Sequence, residues 1–194
     1  MSTAAAPIRT GAVLADLLPA SRTRDIALVV GGAALTGIAA QIALPVPGSP
    51  VPVSGQTFAA LLVGTALGAR RGFLSLALYA VVGMAGVPWF AEANSGYTMP
   101  SFGYILGMLL AATVVGALAR RGADRSVLRT AGTMAVGSLI IYAVGVPYLA
   151  LATGMTLTQA IAAGLTPFLI GDALKAALAM GALPTAWKLI GRKG

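Results

Sequence analysis

The 194-residue sequence contains no cysteine and no histidine. Without cysteine the chain cannot form disulfides or bind a metal through thiolates. Without histidine it lacks the commonest general base and metal ligand. Acidic residues are also scarce, with five Asp and Glu against thirteen Lys and Arg. We therefore expect no enzymatic activity, no metal site and no cofactor.

Several sequence motifs of nucleotide binding and of hydrolytic catalysis are missing as well. The chain has no Gly-x-x-x-x-Gly-Lys-Ser/Thr loop for nucleotide phosphates, no His-Glu-x-x-His pair and no nucleophile elbow. The chain has few acidic residues, and most of them lie at helix ends or in loops. A proton relay across the membrane would therefore have almost no protonatable side chains to use. This scarcity disfavours a carrier that works alone on a proton gradient.

Apolar residues are abundant. They make up 58% of the chain, charged residues make up 9%, and mean hydropathy is +0.89. A soluble domain has about 45–50% apolar and about 25% charged residues. The composition therefore predicts an all-α, polytopic membrane protein embedded in a lipid bilayer. The net charge of +8 does not indicate a nucleic-acid partner, because the basic residues are scattered at the ends of apolar runs.

Six apolar runs can be placed between breaks in the pattern. Residues 1–21 are predicted to be a cytoplasmic tail, with 13–18 touching the membrane surface, and residues 22–194 a single transmembrane substrate-binding domain. Four prolines within residues 45–52 end the first run. Residues 153–166 are predicted to be a loop or partly interfacial, and Thr166 to cap the sixth helix ahead of Pro167. The predicted helices cover residues 25–44, 56–67, 73–86, 102–119, 130–152 and 166–190.

Basic residues are distributed unevenly over the connections. They precede the first helix, separate the second from the third and the fourth from the fifth, and follow the sixth. The connections 45–55, 87–101 and 153–166 contain no Lys or Arg. By the positive-inside rule, this pattern predicts six spans with both termini in the cytoplasm of a plasma-membrane protein.

Two opposite charges lie inside the sixth apolar run. Asp172 and Lys175 are three residues apart and so share one helical face. A charge in hydrocarbon costs about 2.5–3.5 kcal/mol even on mild scales, and such residues usually serve a site. We expect the pair to form the polar floor of a small-molecule site in the outer half of the membrane. The alternative is a structural ion pair within the helix.

The connection 87–101 combines aromatic and amide side chains. Trp89, Phe90 and Asn94 could cover an apolar ring and bond to its polar edge. The alternative is an interfacial aromatic belt with a solvated turn. Glu92 is expected to be a solvated charge.

Gln56 and Tyr104 begin the second and fourth helices on the predicted outer side. Each could reach the same cavity, or could form an interhelical hydrogen bond or an interfacial anchor.

Small residues recur at every fourth position of the first, second and fourth helices, as in Gly32-x-x-x-Thr36-x-x-x-Ala40 and Gly103-x-x-x-Gly107. Such stripes let helices approach closely, and internal packing is their expected role. A stripe that faces lipid would instead dock a partner protein, and the first helix is the candidate.

With these residues laid out, the chain resembles the biotin-specific substrate-binding (S) components, the BioY family, of energy-coupling-factor (ECF) transporters. The resemblance extends over most of the chain and depends on ordered motifs. They are Pro45-x-Pro47, Val51-Pro52-Val53-x-x-Gln56-Thr57, Gly64-x-x-x-Gly68-x-x-x-Gly72, Tyr79-x-x-x-Gly83-x-x-Gly86-x-Pro88-x-Phe90, Pro100-x-x-Gly103-Tyr104, Gly145 and Pro167-Phe168-x-x-Gly171-Asp172-x-x-Lys175.

The resemblance implies a six-helix fold and high-affinity capture of biotin from outside. It implies as partners a transmembrane T component and ABC-type ATPases. The family's acid and lysine correspond to Asp172 and Lys175, and its loop asparagine to Asn94. The family's T-component surface on the first helix corresponds to small residues at Ala27, Gly31, Ala33 and Gly37.

Other functions stay open at this point. The chain could be an S component for another vitamin or small heterocycle, a stand-alone secondary carrier, or a membrane scaffold with a purely structural ion pair. A biotin-like ligand is chemically consistent, because a ureido group offers two N–H donors and a carbonyl to an acid and an amide or ammonium. Its thioether ring would suit Trp89, Phe90 and Tyr104. Whether Lys175 meets the ureido carbonyl, the ligand carboxylate or Asp172 is not decided by the sequence.

Overall fold

Helices dominate residues 11–191, the part of the chain that the computed structural model describes. Its α-helices are α1 (Arg22–Ala40), α2 (Gln56–Leu67), α3 (Ala69–Met84), α4 (Phe102–Arg120), α5 (Val127–Thr153), α6 (Leu157–Gly164) and α7 (Leu169–Gly191). Four helical stretches are long and apolar enough to cross a membrane: α1, α4, α5 and the α6–α7 stretch; α2 and α3 are shorter. The predicted class, a helical membrane protein with six main helices, is confirmed, and α6 is additional.

The first helix lies slightly earlier in the chain than predicted. It begins after Ser21, whose side chain accepts a hydrogen bond from the Arg24 N–H at 3.0 Å and so caps a free backbone donor. It ends at Ala40 rather than at residue 44, because residues 43–44 form a strand instead. That strand, β1 (Ala43–Leu44), pairs antiparallel with β2 (Val53–Ser54) across the proline-rich loop.

Small residues bring the helices into direct contact. A Cβ atom added at Gly32 of α1 would lie 2.5 Å from Ser75 Oγ of α3. One added at Gly64 of α2 would lie 2.5 Å from the Ala112 carbonyl oxygen of α4, and one at Gly107 2.8 Å from Ile141 Cα of α5. The small-residue stripes therefore serve internal packing, which is the role expected for each of them.

On α1 this packing corrects the predicted partner-docking surface. Ala33 is 1% exposed, and a Cβ at Gly37 would lie 2.9 Å from the Trp89 ring. Both positions face the bundle, since they follow the same buried stripe as Gly32, and neither can contact a partner. Ala27 and Gly31 are exposed on the opposite face of the helix.

The segment ahead of α7 is more ordered than predicted. Within the expected loop, α6 is capped by a reciprocal pair in which the Gln159 N–H donates to Thr156 Oγ1 and the Thr156 N–H donates to Gln159 Oε1. Thr166 is the first residue of a 3₁₀ turn, Thr166–Phe168, and not the cap of a continuous helix. The regular helix α7 starts only at Leu169.

The described part of the predicted tail is not separate from the bundle. Val13 is fully buried, and Leu14–Leu17 form a 3₁₀ turn at the arginine-rich end of the helices. Asp16 accepts hydrogen bonds from Arg71 at 2.8 Å and from Arg120 at 3.3 Å. Partial burial opposes ionisation of Asp16, but these partners and the Val13 N–H outweigh it and hold its pKa below the usual value. Residues 1–10 lie outside the described part of the chain.

Candidate functional site

A polar cavity lies where the first turns of α2, α4 and α7 meet the middle of α5. This end of the bundle is opposite the arginine-rich turns, because α2 and α7 both run from the cavity toward basic residues. Its free volume is about 30 Å³, the space of about two water molecules. A bicyclic ligand would therefore have to displace side chains. The lining residues are Val51, Pro52, Ser54, Gln56, Thr57, Tyr104, Ser138, Ile141, Tyr142, Phe168, Asp172 and Lys175.

The predicted acid–base pair forms one wall of this cavity. Lys175 Nζ donates a hydrogen bond to Asp172 Oδ1 at 3.2 Å and a second to Thr57 Oγ1 of α2 at 2.9 Å. The side chains of Lys175 and Asp172 are 19% and 17% exposed. Asp172 lies in the first turn of α7, where the helix dipole favours a carboxylate. The two side chains are bonded to each other and also border the cavity.

A tyrosine forms a second hydrogen bond to the Asp172 carboxylate. Tyr142 of α5 donates a hydrogen bond to Asp172 Oδ2, and its ring meets the Tyr104 ring edge-on with centroids 6.4 Å apart. Tyr142, Thr57 and Ser138 are site residues that the sequence prediction missed. A usable signal was present in α5, because Ser138 and Tyr142 are polar residues four apart, on one face of an apolar helix.

Tyr104 lines the cavity and is also fixed in place by a hydrogen bond. Its hydroxyl donates to the Gly164 carbonyl oxygen at 2.7 Å, at the end of α6. A Cβ at Gly145 would lie 2.5 Å from the Tyr104 ring, and one at Gly164 would lie 2.2 Å from its hydroxyl. The two glycines therefore make the space that the tyrosine ring occupies.

Gln56 also lines the cavity, and a hydrogen bond from Tyr79 fixes the orientation of its side chain. The Tyr79 hydroxyl donates to Gln56 Oε1 at 2.8 Å, and both residues are buried. Within residues 11–191 the Gln56 NH₂ group has no hydrogen-bond partner. It is thus a donor that a bound molecule could use.

Trp89, Phe90 and Asn94 do not line the cavity, which corrects the expectation that they cover it. Trp89 donates from Nε1 to the Tyr79 carbonyl oxygen at 3.0 Å, and its ring lies 5.2 Å from the Tyr79 ring. Phe90 is 1% exposed and packs edge-on against Tyr79. Asn94 is exposed and bonds to the Ala91 carbonyl oxygen within its own loop. Burying two large aromatic rings against α3 outweighed placing them over the site.

The aromatic pair still has a connection to the site. Trp89 and Phe90 immobilise Tyr79, and Tyr79 holds Gln56. Glu92 is exposed, as expected for a solvated charge.

The cavity combines complementary polar groups with apolar walls. It offers a carboxylate acceptor, an ammonium donor, a free amide donor and hydroxyls, while Ile141, Phe168 and the Tyr104 ring supply apolar surface. Within residues 11–191 no cluster of three acidic side chains could hold a metal ion. The arrangement suits a small polar heterocycle with an apolar body. The fold and the cavity together define a polytopic helical membrane protein with a polar cavity inside its helix bundle.

Comparisons with known proteins agree with this class. Residues 10–192 match the model of the BioY family. The chain is 34% identical over 162 residues to a probable biotin transporter BioY of Pyrococcus horikoshii, covering 82% of this chain and 93% of that protein. It is 33% identical to the biotin transporter BioY2 of Lactococcus lactis (79% of this chain, 85% of that protein) and 34% identical to the biotin transporter BioY of Thermotoga maritima (75% and 85%).

A solved structure has the same fold. The crystal structure of the S-component for biotin from an ECF-type ABC transporter superposes with a TM-score of 0.75 at 21% identity, covering 88% of this chain and 95% of that one. The chain belongs to the BioY family, a family of membrane transport proteins, as its sequence motifs indicated.

Proposed function

We propose that the chain is the substrate-binding subunit of an ECF-type vitamin transporter and that it binds biotin in the cavity beside Asp172 and Lys175. The observation that carries the proposal is the convergence of Asp172, Lys175 and Gln56 on one cavity in a chain of this family. The curated relatives are described as biotin transporters, which supports the same ligand.

The chemistry of biotin matches the wall of the cavity. The two ureido N–H groups can donate to the Asp172 carboxylate, and the ureido carbonyl can accept from the Gln56 NH₂ group or the Lys175 ammonium. The thioether ring fits beside Tyr104, Ile141 and Phe168 rather than beside the buried Trp89 and Phe90. The valerate carboxylate then meets Lys175 or extends toward water.

Binding requires the cavity to widen. At about 30 Å³ it is smaller than a bicyclic ring system. The ligand therefore displaces part of the existing network, in which Lys175 bonds to Thr57, while Tyr142 stays bonded to Asp172 and keeps the carboxylate oriented. These polar contacts satisfy the charges before the ligand arrives, since an unpaired buried charge would destabilise the protein.

The orientation and partners belong to the same proposal. Both termini lie in the cytoplasm of the plasma membrane, so that the cavity opens outward, as the arginine-rich turns at the opposite end support. A T component docks on α1 through the exposed Ala27 and Gly31, and ABC-type ATPases supply the energy. The chain itself carries out no catalysis.

Equilibrium binding of biotin to the detergent-purified protein tests the proposal. Asp172→Asn and Lys175→Ala should each weaken biotin binding by at least about 100-fold, as expected when a buried partner of a charged group is removed. Lys188→Ala is the matched control, because it removes an exposed lysine at the other end of the same helix. Wild-type affinity in both site variants would contradict the proposal.

Competition with other vitamins separates the remaining candidates. Biotin should be displaced by biotin analogues with an intact ureido ring and not by unrelated heterocycles. Tighter binding of another vitamin would identify a different S component. Uptake of biotin into liposomes by the chain alone, driven by a pH gradient, would instead show a secondary carrier.

A further inference from the structure

A large groove between α1 and α3 begins at the arginine-rich end of the bundle and shares no lining residue with the polar cavity. Its volume is about 830 Å³. The two helices touch closely at Gly32 and Ser75. We propose that this groove is a binding site for an anionic phospholipid, with the phosphate at the arginines and an acyl chain along the groove.

The charge at the mouth of the groove is the first argument. Arg22, Arg70, Arg71 and Arg120 all line it. Two carboxylates are nearby: Asp16 pairs with Arg71 and Arg120, and Asp25, which also lines the groove, pairs with Arg24 and Arg71.

Arg22 and Arg70 therefore lack a carboxylate. Both are exposed, and within residues 11–191 neither forms an ion pair. The chain has no other acid to offer, because Glu92 lies in the loop after α3, Asp124 bonds to Trp187 and Asp172 lies in the cavity. A phosphodiester supplies the missing negative charge, and guanidinium groups bind phosphate through paired N–H donors.

The apolar floor of the groove is the second argument. Ile26 and Val30 of α1 face Leu74, Leu78 and Val81 of α3 along the groove. Four of these five are at least 43% exposed: Ile26, Val30, Leu74 and Val81. Val81 is ten residues beyond Arg71, or about 15 Å at 1.5 Å per residue. The groove thus extends from charged side chains at helix ends deep into the apolar part of the bundle.

A phospholipid combines these two features in one molecule. Basic grooves between membrane helices on the cytoplasmic side bind anionic head groups, and nearby arginines each strengthen that attraction. A zwitterionic lipid of the same chain length carries its own cation, which the unpaired Arg22 and Arg70 would repel. The groove is therefore expected to select by head-group charge and not by acyl chain.

Native mass spectrometry of the delipidated, full-length protein titrated with phosphatidylglycerol or with phosphatidylcholine of the same acyl chains tests the proposal. One phosphatidylglycerol should bind at least about 10-fold more tightly than phosphatidylcholine. The double variant Arg22→Gln/Arg70→Gln should lose about 10- to 30-fold of that affinity, from the usual contribution of basic residues near a membrane surface. The double variant Arg121→Gln/Arg129→Gln removes the same charge from exposed arginines outside the groove and should bind as wild type does.

A second variant tests the apolar floor without touching the charges. Ala77 lines the groove, and Ala77→Trp should fill it and reduce binding of both lipids. Melting temperature and monodispersity check that each variant folds. Equal affinity of the wild type for the two lipids would overturn the proposal, as would an equal loss in both double variants, which indicates diffuse attraction. Displacement of the lipid by glycerophosphoglycerol at the same concentration would show a site for a free anion instead.

Discussion

Lys175 Nζ lies 2.9 Å from Thr57 Oγ1, which joins two helices across 118 positions of the chain. The contact ties the first turn of α2 to the first turns of α7, and the same ammonium also holds Asp172. A half-buried ammonium needs such partners, because each lost hydrogen bond leaves its charge less well solvated. Thr57 is therefore part of the site in the structure, although it carries no charge.

Replacement of Thr57 by valine should destabilise the protein. Valine keeps the shape of threonine but cannot accept the hydrogen bond from Lys175, and hydrogen bonds to charged groups contribute about 1.5–3 kcal/mol. We expect a fall of several degrees in the apparent melting temperature in detergent. Ser138→Ala is the control, because Ser138 lines the same cavity without a side-chain hydrogen bond within residues 11–191. An unchanged melting temperature of the valine variant would show that the contact does not stabilise the fold.

Removal of the Tyr142 hydroxyl should weaken biotin binding. Tyr142→Phe keeps the ring against Tyr104 but leaves Asp172 Oδ2 without its donor. The carboxylate is then less well oriented toward a ligand, and we expect about a 10-fold loss of affinity. Tyr148→Phe removes a hydroxyl that bonds to the Tyr97 carbonyl oxygen outside the cavity. Equal affinities of the two variants would exclude a specific role of Tyr142.

Two glycines of α1 should respond in opposite ways to alanine. At Gly37 the new Cβ would lie 2.9 Å from the Trp89 ring, which is held by its hydrogen bond to the Tyr79 carbonyl oxygen. Gly37→Ala should therefore destabilise the protein by about 1–3 kcal/mol. At Gly31 nothing lies within 4 Å, so Gly31→Ala should be neutral or stabilising by up to about 1 kcal/mol.

Thermal unfolding followed by tryptophan fluorescence measures both effects, and Gly37→Ala should also shift the emission of Trp89. If Gly31→Ala is the more damaging change, the inward orientation of Gly37 is wrong.

Asp124 should contribute to the pH dependence of the protein's stability. This carboxylate is fully buried in the turn between α4 and α5, accepts a hydrogen bond from Trp187 Nε1 at 2.7 Å and leaves its other oxygen without a partner. Burial raises its pKa above the usual value, although Trp187 and the Arg125 charge act in the opposite direction. Protonated Asp124 therefore stabilises the folded protein relative to the ionised form. This contribution is fully present below the pKa of Asp124 in the unfolded chain, and it is lost as the pH rises through the pKa in the folded protein.

Asp124→Asn should remove this loss while it keeps an acceptor for Trp187. Its apparent melting temperature should fall less than that of the wild type as the pH rises above the unfolded aspartate pKa of about 3.9. Asp16→Asn is the contrasting variant. Because folding lowers the Asp16 pKa, the ionised Asp16 stabilises the folded protein above its unfolded pKa, and this stabilisation is lost as the pH falls through the folded pKa. It should destabilise the protein at neutral pH. Parallel pH profiles of wild type and Asp124→Asn would contradict the assignment.

The ordered motifs along the chain predicted the family, and the charge pair in the last apolar run led to the candidate site. Asp172 and Lys175 could be found in this way because a charge within an apolar helix is costly and rarely kept without a role. Gln56 and Tyr104 could be placed near them because helices that start at the same membrane face bring their first turns together. These inferences need only local pattern and membrane topology.

Other features depended on packing. The sequence predicted Trp89 and Phe90 to cover a ligand, but both rings are buried against Tyr79 and α3, because the glycines at 37 and 83 leave room for them there. It also assigned Ala33 and Gly37 to an outer surface, whereas the rotation of α1 turns them inward.

The sequence by itself determined the class of protein, its apolar helices and the charged pair, since each follows from the cost of placing a given residue in lipid. Only the tertiary structure decided which neutral side chains complete the site. Thr57, Ser138 and Tyr142 are common residues in helices, and they meet Asp172 and Lys175 only because close contacts at small residues fix how far each helix is rotated and how deeply it lies.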